Sequence, residues 1–305
     1  MPEPARSDPH PAMLSYRHHF HAGNHADALK HVVLVTLIEA LQRKPAAMAV
    51  METHAGAGRY ELGSREASLH REHSSGIERA LAAADPPPAV ARWLGLVRAA
   101  NAGGGLEVFP GTPLIARAAL REQDRMLLCE LHPTDHERLK SLFRRDRKVA
   151  VHLIDGYQAL KAFLPPRERR GLVLIDPAYE RAGELDRALA ALAMAQERWP
   201  GGVYALWYPL MARLPSAQVA RALERSGLGE VLAAELLVRA EAEGSSLNGS
   251  GVAIVSPPWR LEEALAPALQ WLGKTLRQSP GARASLLQIG AAADSRPRQS
   301  RERWP

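Results

Sequence analysis

Seven short apolar runs, near residues 46–52, 126–131, 149–154, 171–176, 202–208, 230–238 and 250–256, are separated for the most part by segments of helical periodicity. This alternation leaves few folds open. Apolar strands joined by helical crossovers bury both of their faces in an α/β sheet, so a seven-stranded, mostly parallel sheet covered by helices is expected. The first helix is predicted over 24–44, with Asn24 as its N-cap. A further amphipathic helix near 260–278 closes the sheet, and 283–289 is a candidate extra strand.

The gap between the first two strands is too long for one crossover. Residues 64–105 are rich in His, Arg, Glu and Ala, and Pro86-Pro87-Pro88 interrupts them. A loop of that length without structure of its own is uncommon, so the segment reads as a small helical insertion. The expected layout is a disordered extension over 1–12, a main domain over 13–63 and 106–289, the insertion over 64–105, and a disordered tail over 290–305.

Composition narrows the function classes. The 305 residues, 46% hydrophobic, suffice for one large core. Cys129 is the single cysteine, which excludes a disulfide framework and points to a reducing compartment. No run reaches the ~20 apolar residues of a membrane span, and the polar, Pro-rich start lacks a signal-peptide core. A cytoplasmic location is expected. The net charge of +6 favours an anionic partner, nucleic acid first.

The strand G-L-V-L-I ends in Asp176-Pro177-Ala178-Tyr179. An acceptor carboxylate, a rigid turn and an aromatic face suit methylation of the exocyclic nitrogen of a flipped-out base. The carboxylate localises the amine lone pair and aims it, while the aromatic ring stacks on the base. Ser256-Pro257-Pro258-Trp259 is the rival. Ser is the weaker acceptor, however, and a late strand in such a sheet runs antiparallel, so its end points away from the ligand edge.

Strand, then Ala55-Gly56-Ala57-Gly58, then helix suggests a nucleoside-binding turn, with no Lys-Ser/Thr pair for a triphosphate. Glu130 ends the second strand, where an acid holds ribose hydroxyls, and Asp155-Gly156 ends the third, where Asp155 is placed to accept from an adenine amine. With Asp176, these line the edge where open α/β sheets bind ligands. His18, His19, His21 and His25 raise a metal alternative, but no Cys accompanies them and no metal is expected. Cys129 lies within a strand and reads as core rather than nucleophile.

Five segments resemble the RlmJ-type family of bacterial 23S ribosomal RNA adenine-N6 methyltransferases. They are Leu14–His31, Thr53–Tyr60, Pro110–Arg117, the L-I-D-P-A-Y-E strand end, and Tyr204–Pro209. They stand in family order and span about 13–289. The resemblance implies a Rossmann-like, S-adenosylmethionine-dependent methyltransferase that acts on 23S ribosomal RNA. A standalone enzyme of this size gives no reason to demand a dimer, so a monomer without an obligate protein partner is expected. The resemblance also implies that His31, His54, Thr112, Glu130, Asp155, Gly156 and Asp176 contact the cofactor, with Thr112 standing where Ser is more familiar. Asp176 would be the catalytic acceptor, and Tyr16 and Tyr179 would contact the RNA. The chain departs from the family's Asp-Pro-Pro-Tyr at Ala178, which keeps an N–H that Pro lacks.

Three other functions fit parts of the chain. A DNA adenine methyltransferase shares every catalytic residue, but 64–105 is a poor sequence reader. A non-catalytic RNA-binding protein follows if Ala178 marks decay. A nicotinamide dehydrogenase leaves Asp176-Pro177-Ala178-Tyr179 unexplained.

Overall fold

A computed structural model describes residues 21–64, 69, 71–241 and 247–290. The first helix, α1 (His25–Gln42), is capped by Asn24, whose side chain accepts from the N–H groups of Ala26 and Asp27. Such a cap satisfies donors that the helix itself leaves free. Nearly all of α1 is buried, since it lies between the sheet and other helices.

Four strands run parallel side by side: β1 (Ala49–Glu52), β4 (Arg125–Glu130), β5 (Val149–Leu153) and β6 (Gly171–Ile175). The next, β7 (Val203–Leu210), is parallel to β6. Beyond it lie three antiparallel strands, β8 (Val231–Leu237), β9 (Gly249–Val255) and β10 (Arg283–Ile289). The order across the sheet is β10-β8-β9-β7-β6-β1-β4-β5. All seven expected strands are present and 283–289 adds an eighth. Strand order reverses at β1, whose neighbours β4 and β6 lead the chain to opposite sides, and ligands bind outside the carboxyl ends of strands at such a switch point.

Two three-residue strands were not legible in the sequence. In the structure β2 (Arg59–Glu61) pairs antiparallel with β3 (Val108–Pro110), bringing together the chain on either side of 64–105. Between them, α2 (Glu72–Ser75), α3 (Ile77–Ala82) and α4 (Pro88–Ala99) place Ile77, Val90 and Trp93 in the same buried cluster as α1. Two helices, α5 (Thr112–Ala119) and α6 (Pro133–Phe143), follow β3 and β4. A second cluster covers the other face of the sheet, under α7 (Gly156–Phe163), α8 (Glu184–Arg198) and α9 (Ser216–Arg225).

At the amino ends of the parallel strands, buried Asp124 ties the entering loops together. It accepts from Met48 N–H at 3.1 Å and from Arg121 Nε at 2.9 Å, while Arg121 donates to the Lys44 and Ala46 carbonyls. Burial raises the Asp124 carboxyl, but the hydrogen bonds from Arg121 and Met48 outweigh it and hold the group below its usual range.

Candidate active site

The carboxyl ends of β1, β4, β5 and β6 bring most of the expected residues together. After β1 the chain passes between the ends of its neighbours, with Thr53 N–H donating to the Leu174 carbonyl and Ala55 N–H to that of Cys129. Gly56 and Gly58 then take positive φ, at 62° and 75°. At Gly58 an added Cβ would lie 2.8 Å from the Leu139 side chain, so this turn needs glycine for both conformation and space.

Glu130 closes the turn. Its Oε2 accepts from Gly56 N–H and its Oε1 from His132 N–H, both at 2.7 Å. Burial pushes its carboxyl up despite these bonds. Each carboxylate oxygen retains a lone pair for a further donor. Asp155 caps α7, accepting from Tyr157 and Gln158 N–H, and its other oxygen takes a contact from Arg187 at 3.2 Å. Gly156 sits so close to β1 that a Cβ would lie 2.2 Å from the Thr53 carbonyl. Any side chain there would separate the two strand ends.

His54 follows Thr53, with its Nδ1 2.8 Å from the Thr53 hydroxyl and its ring edge-on to Tyr157. Burial holds its imidazole below the usual range, so it is neutral at pH 7. His31 stacks on Phe109 with ring centres 5.1 Å apart, and its Nδ1 accepts from Trp93 Nε1. Thr112 donates to Glu52 Oε2 at 2.6 Å. Glu52 is fully buried, and burial raises its carboxyl to about 8 against the opposing effects of Thr112 and Lys30. Its Oε1 has no partner among the described residues. Glu52 is therefore mostly protonated at neutral pH, an acid whose role the sequence did not reveal.

Asp176 follows β6. Its Oδ2 lies 2.6 Å from Lys30 Nζ, which also contacts Asp27 at 3.2 Å. Lys30 and Asp27 are buried and Asp176 is half-buried, and the Lys30–Asp176 contact spans 146 residues of chain. Because Lys30 takes Oδ2, Oδ1 is the oxygen left to accept from a ligand. Lys30 was not singled out in the sequence, where it reads as one charged position on an amphipathic helix. It also lies 5.7 Å from the centre of the Trp207 ring, a second residue that was missed.

Tyr179 stands beside Asp176 in the left-handed backbone region, at φ 53°, an uncommon state for an aromatic residue that marks local strain. Its ring is buried edge-on against Trp207, and its hydroxyl donates to the Trp207 carbonyl at 2.9 Å. It is an inner wall here rather than an open platform. Tyr16, His18 and His19 lie outside the described residues. His21 bonds Glu72 at 2.9 Å and His25 is buried in α1. Burial raises the Cys129 thiol to about 12, which suits core and not a nucleophile.

The rival motif is removed by strand direction. Because β9 is antiparallel to β7 and Val255 pairs with Tyr204 near the start of β7, Ser256-Pro257-Pro258-Trp259 emerges at the opposite edge of the sheet.

Similarity to known proteins identifies the family. The family model described as Ribosomal RNA large subunit methyltransferase D, RlmJ, matches residues 45–287. The chain belongs to this family. It is 43% identical over 264 residues to the Ribosomal RNA large subunit methyltransferase J of Escherichia coli, covering 87% of this chain and 94% of that protein. The protein of the same name from Haemophilus influenzae is also 43% identical, over 265 residues, with the same coverage. Among solved structures, protein LPL1258 from Legionella pneumophila superposes with a TM-score of 0.79 at 31% identity, covering 90% of this chain and 99% of that one. As a member of this family the chain is a methyltransferase of Rossmann-like fold.

Proposed function

We propose that the protein transfers a methyl group from S-adenosylmethionine to the exocyclic N6 of one adenine in 23S ribosomal RNA. The observation that carries this reading is Asp176: a carboxylate fixed through Oδ2 by a buried lysine, with Oδ1 left to accept, at the switch-point edge of the sheet.

The residues at this edge fit the cofactor. S-adenosylmethionine has a ribose diol, an adenine amine and an ammonium group, and the edge offers Glu130, Asp155 and the unpartnered Oε1 of buried Glu52. Glu130 would hold the diol and Asp155-Gly156 the adenine end, with His31, His54 and Thr112 shaping the remaining wall. When bound, the cofactor supplies a methyl group on a positively charged sulfur.

Asp176 Oδ1 and the Pro177 carbonyl accept hydrogen bonds from the target amine. This draws its lone pair out of the ring and directs it. Lys30 keeps the carboxylate from turning. As the nitrogen gains a methyl group it releases one N–H proton, and Asp176 Oδ1 is the acceptor in contact. Tyr179 and Trp207 form the aromatic side of the base pocket, and Tyr16 contacts the RNA. Every residue in this set comes from one chain, so no second subunit is required.

The test is transfer from labelled S-adenosylmethionine to protein-free 23S ribosomal RNA, with DNA of matched sequence as control, followed by nucleoside analysis. N6-methyladenosine in the RNA alone is expected. Transfer to the DNA, or a different methylated nucleoside, would overturn the proposal.

A further inference from the structure

The positive charge of the chain is concentrated away from the active site. Segments 43–48, 120–125, 144–148 and 165–170, which lead into β1, β4, β5 and β6 and include the first residue of β4, together hold eleven Lys and Arg against four Asp and Glu. That excess is larger than the +6 of the whole chain. An arginine-rich composition scatters such residues and does not gather them at one edge.

The loops form one continuous surface. Arg170 donates to the Ala46 carbonyl, Arg125 pairs with Glu168, and Met126 N–H donates to the Lys148 carbonyl. Three of the four acids are committed to other arginines: Asp124 to Arg121, Asp146 to Arg117, and Glu168 to Arg125. Arg43, Lys44, Arg144, Arg145, Arg147 and Arg169 are exposed and make no ion pair among the described residues. At one end of this surface stands Trp259, 79% exposed, with the Arg260 guanidinium 5.2 Å from its ring centre. Arg260 bonds Glu263, and β9 ends beside the start of β7, where Val255 pairs with Tyr204, so the tryptophan that follows belongs to the same edge.

We infer that this amino edge of the sheet is a second RNA-binding surface, which grips backbone phosphates of a substrate helix remote from the target adenine. Unpaired guanidinium groups that outnumber the one uncommitted acid of these segments, Glu122, are what a phosphate backbone selects. An exposed aromatic next to them suits an unstacked nucleotide. Strands of four to eight residues at ~3.3 Å per residue set the two edges on the order of 20 Å apart, so a small hairpin seated at Asp176 does not reach Arg144 and a large folded RNA does.

The inference rests on RNA being the substrate, and the experiment separates the two. The full-length protein and a triple variant, Arg144→Gln with Arg145→Gln and Arg147→Gln, are compared on whole protein-free 23S ribosomal RNA and on a short stem-loop carrying the methylated adenine. Binding of a short RNA duplex without any target is measured across salt concentrations. The variant is expected to raise KM about tenfold on the whole RNA at unchanged kcat, and to leave the stem-loop within about twofold. Its slope of log Kd against log salt on the duplex should fall by about one for each phosphate that is no longer neutralised. Equal effects on both RNAs, or unaltered duplex binding, would overturn the inference. So would unaltered RNA affinity with lost binding to an acidic protein. If the wild type methylates neither RNA, duplex binding still decides the question.

Discussion

The two edges of the sheet share the same strands and have opposite chemistry. At the carboxyl edge the charged groups are mostly acids, and most are engaged: Glu130 with two backbone donors, Asp155 with its helix, Asp176 with Lys30. At the amino edge three of the four acids are engaged and most of the bases are left over. The contrast follows from direction. Parallel strands present the same end to the same side, so whatever a strand-ending loop carries accumulates at one edge and whatever a strand-entering loop carries accumulates at the other. One edge is built to hold a small ligand with fixed acceptors and the other to meet a polyanion.

Asp176→Ala breaks the carboxyl edge most directly. Methyl transfer should fall by about 10³-fold or more, the scale of losing a positioned polar group, while cofactor affinity measured by calorimetry stays within about twofold. Retained turnover would sink the assignment of this residue.

Lys30→Met is next. It leaves Asp27 and Asp176 facing each other without their shared cation, and breaking such a buried pair costs about 3 kcal/mol. A lowered Tm and a fall of one to two orders of magnitude in kcat are expected. Lys30→Arg should recover part of both, and a variant with unaltered kcat would show that Oδ2 needs no anchor.

Glu52 distinguishes the edges by pH. Its folded-state carboxyl titrates near 8, above its ordinary value of 4.5. The folded protein therefore holds a proton that the unfolded chain has lost. The stability from this group is fully present below about 4.5 and is lost as pH rises to about 8, at up to about 1.4 kcal/mol per unit. Glu52→Gln keeps the acceptor for Thr112 and removes the slope, so denaturant midpoints of the two proteins should diverge between pH 5 and 8 in favour of the variant. Parallel curves would show that Glu52 is charged throughout.

The smallest effect is expected at Ala178. Replacement by Pro stiffens the turn after Asp176, and kcat should rise no more than about fivefold, the equivalent of ~1 kcal/mol. A larger gain would mean that this chain has a loosened turn where its relatives have a rigid one.

Much of this architecture could be read from local pattern. Mostly apolar segments of six or more residues marked the strands and Asn24 marked its helix. The weak acceptor and late position of Ser256 argued against it, and the antiparallel run of β9 agrees. What escaped was short or distant. The pairing of β2 with β3 involves three residues on each side, too few for alternation to register. Lys30 acquires its meaning only from a contact 146 residues away, and Glu52 only from complete burial. Trp207 lay inside a matched segment, yet its place beside Lys30 and Tyr179 depends on how β7 and α1 pack. The buried ring of Tyr179 was likewise beyond sequence, since an aromatic after a strand can face either the ligand or the core.

Buried Asp124 acts as a counter-ion built into the chain. It neutralises Arg121 from inside, and Arg117 and Arg125 have tethered anions of their own in Asp146 and Glu168. The arginines of the amino edge thus fall into two populations, one that braces the loops and one that faces solvent. Dissolved salt competes only weakly with the shielded pairs and strongly with the exposed groups. Raising ionic strength should weaken what the surface can attract long before it loosens the loops that display it.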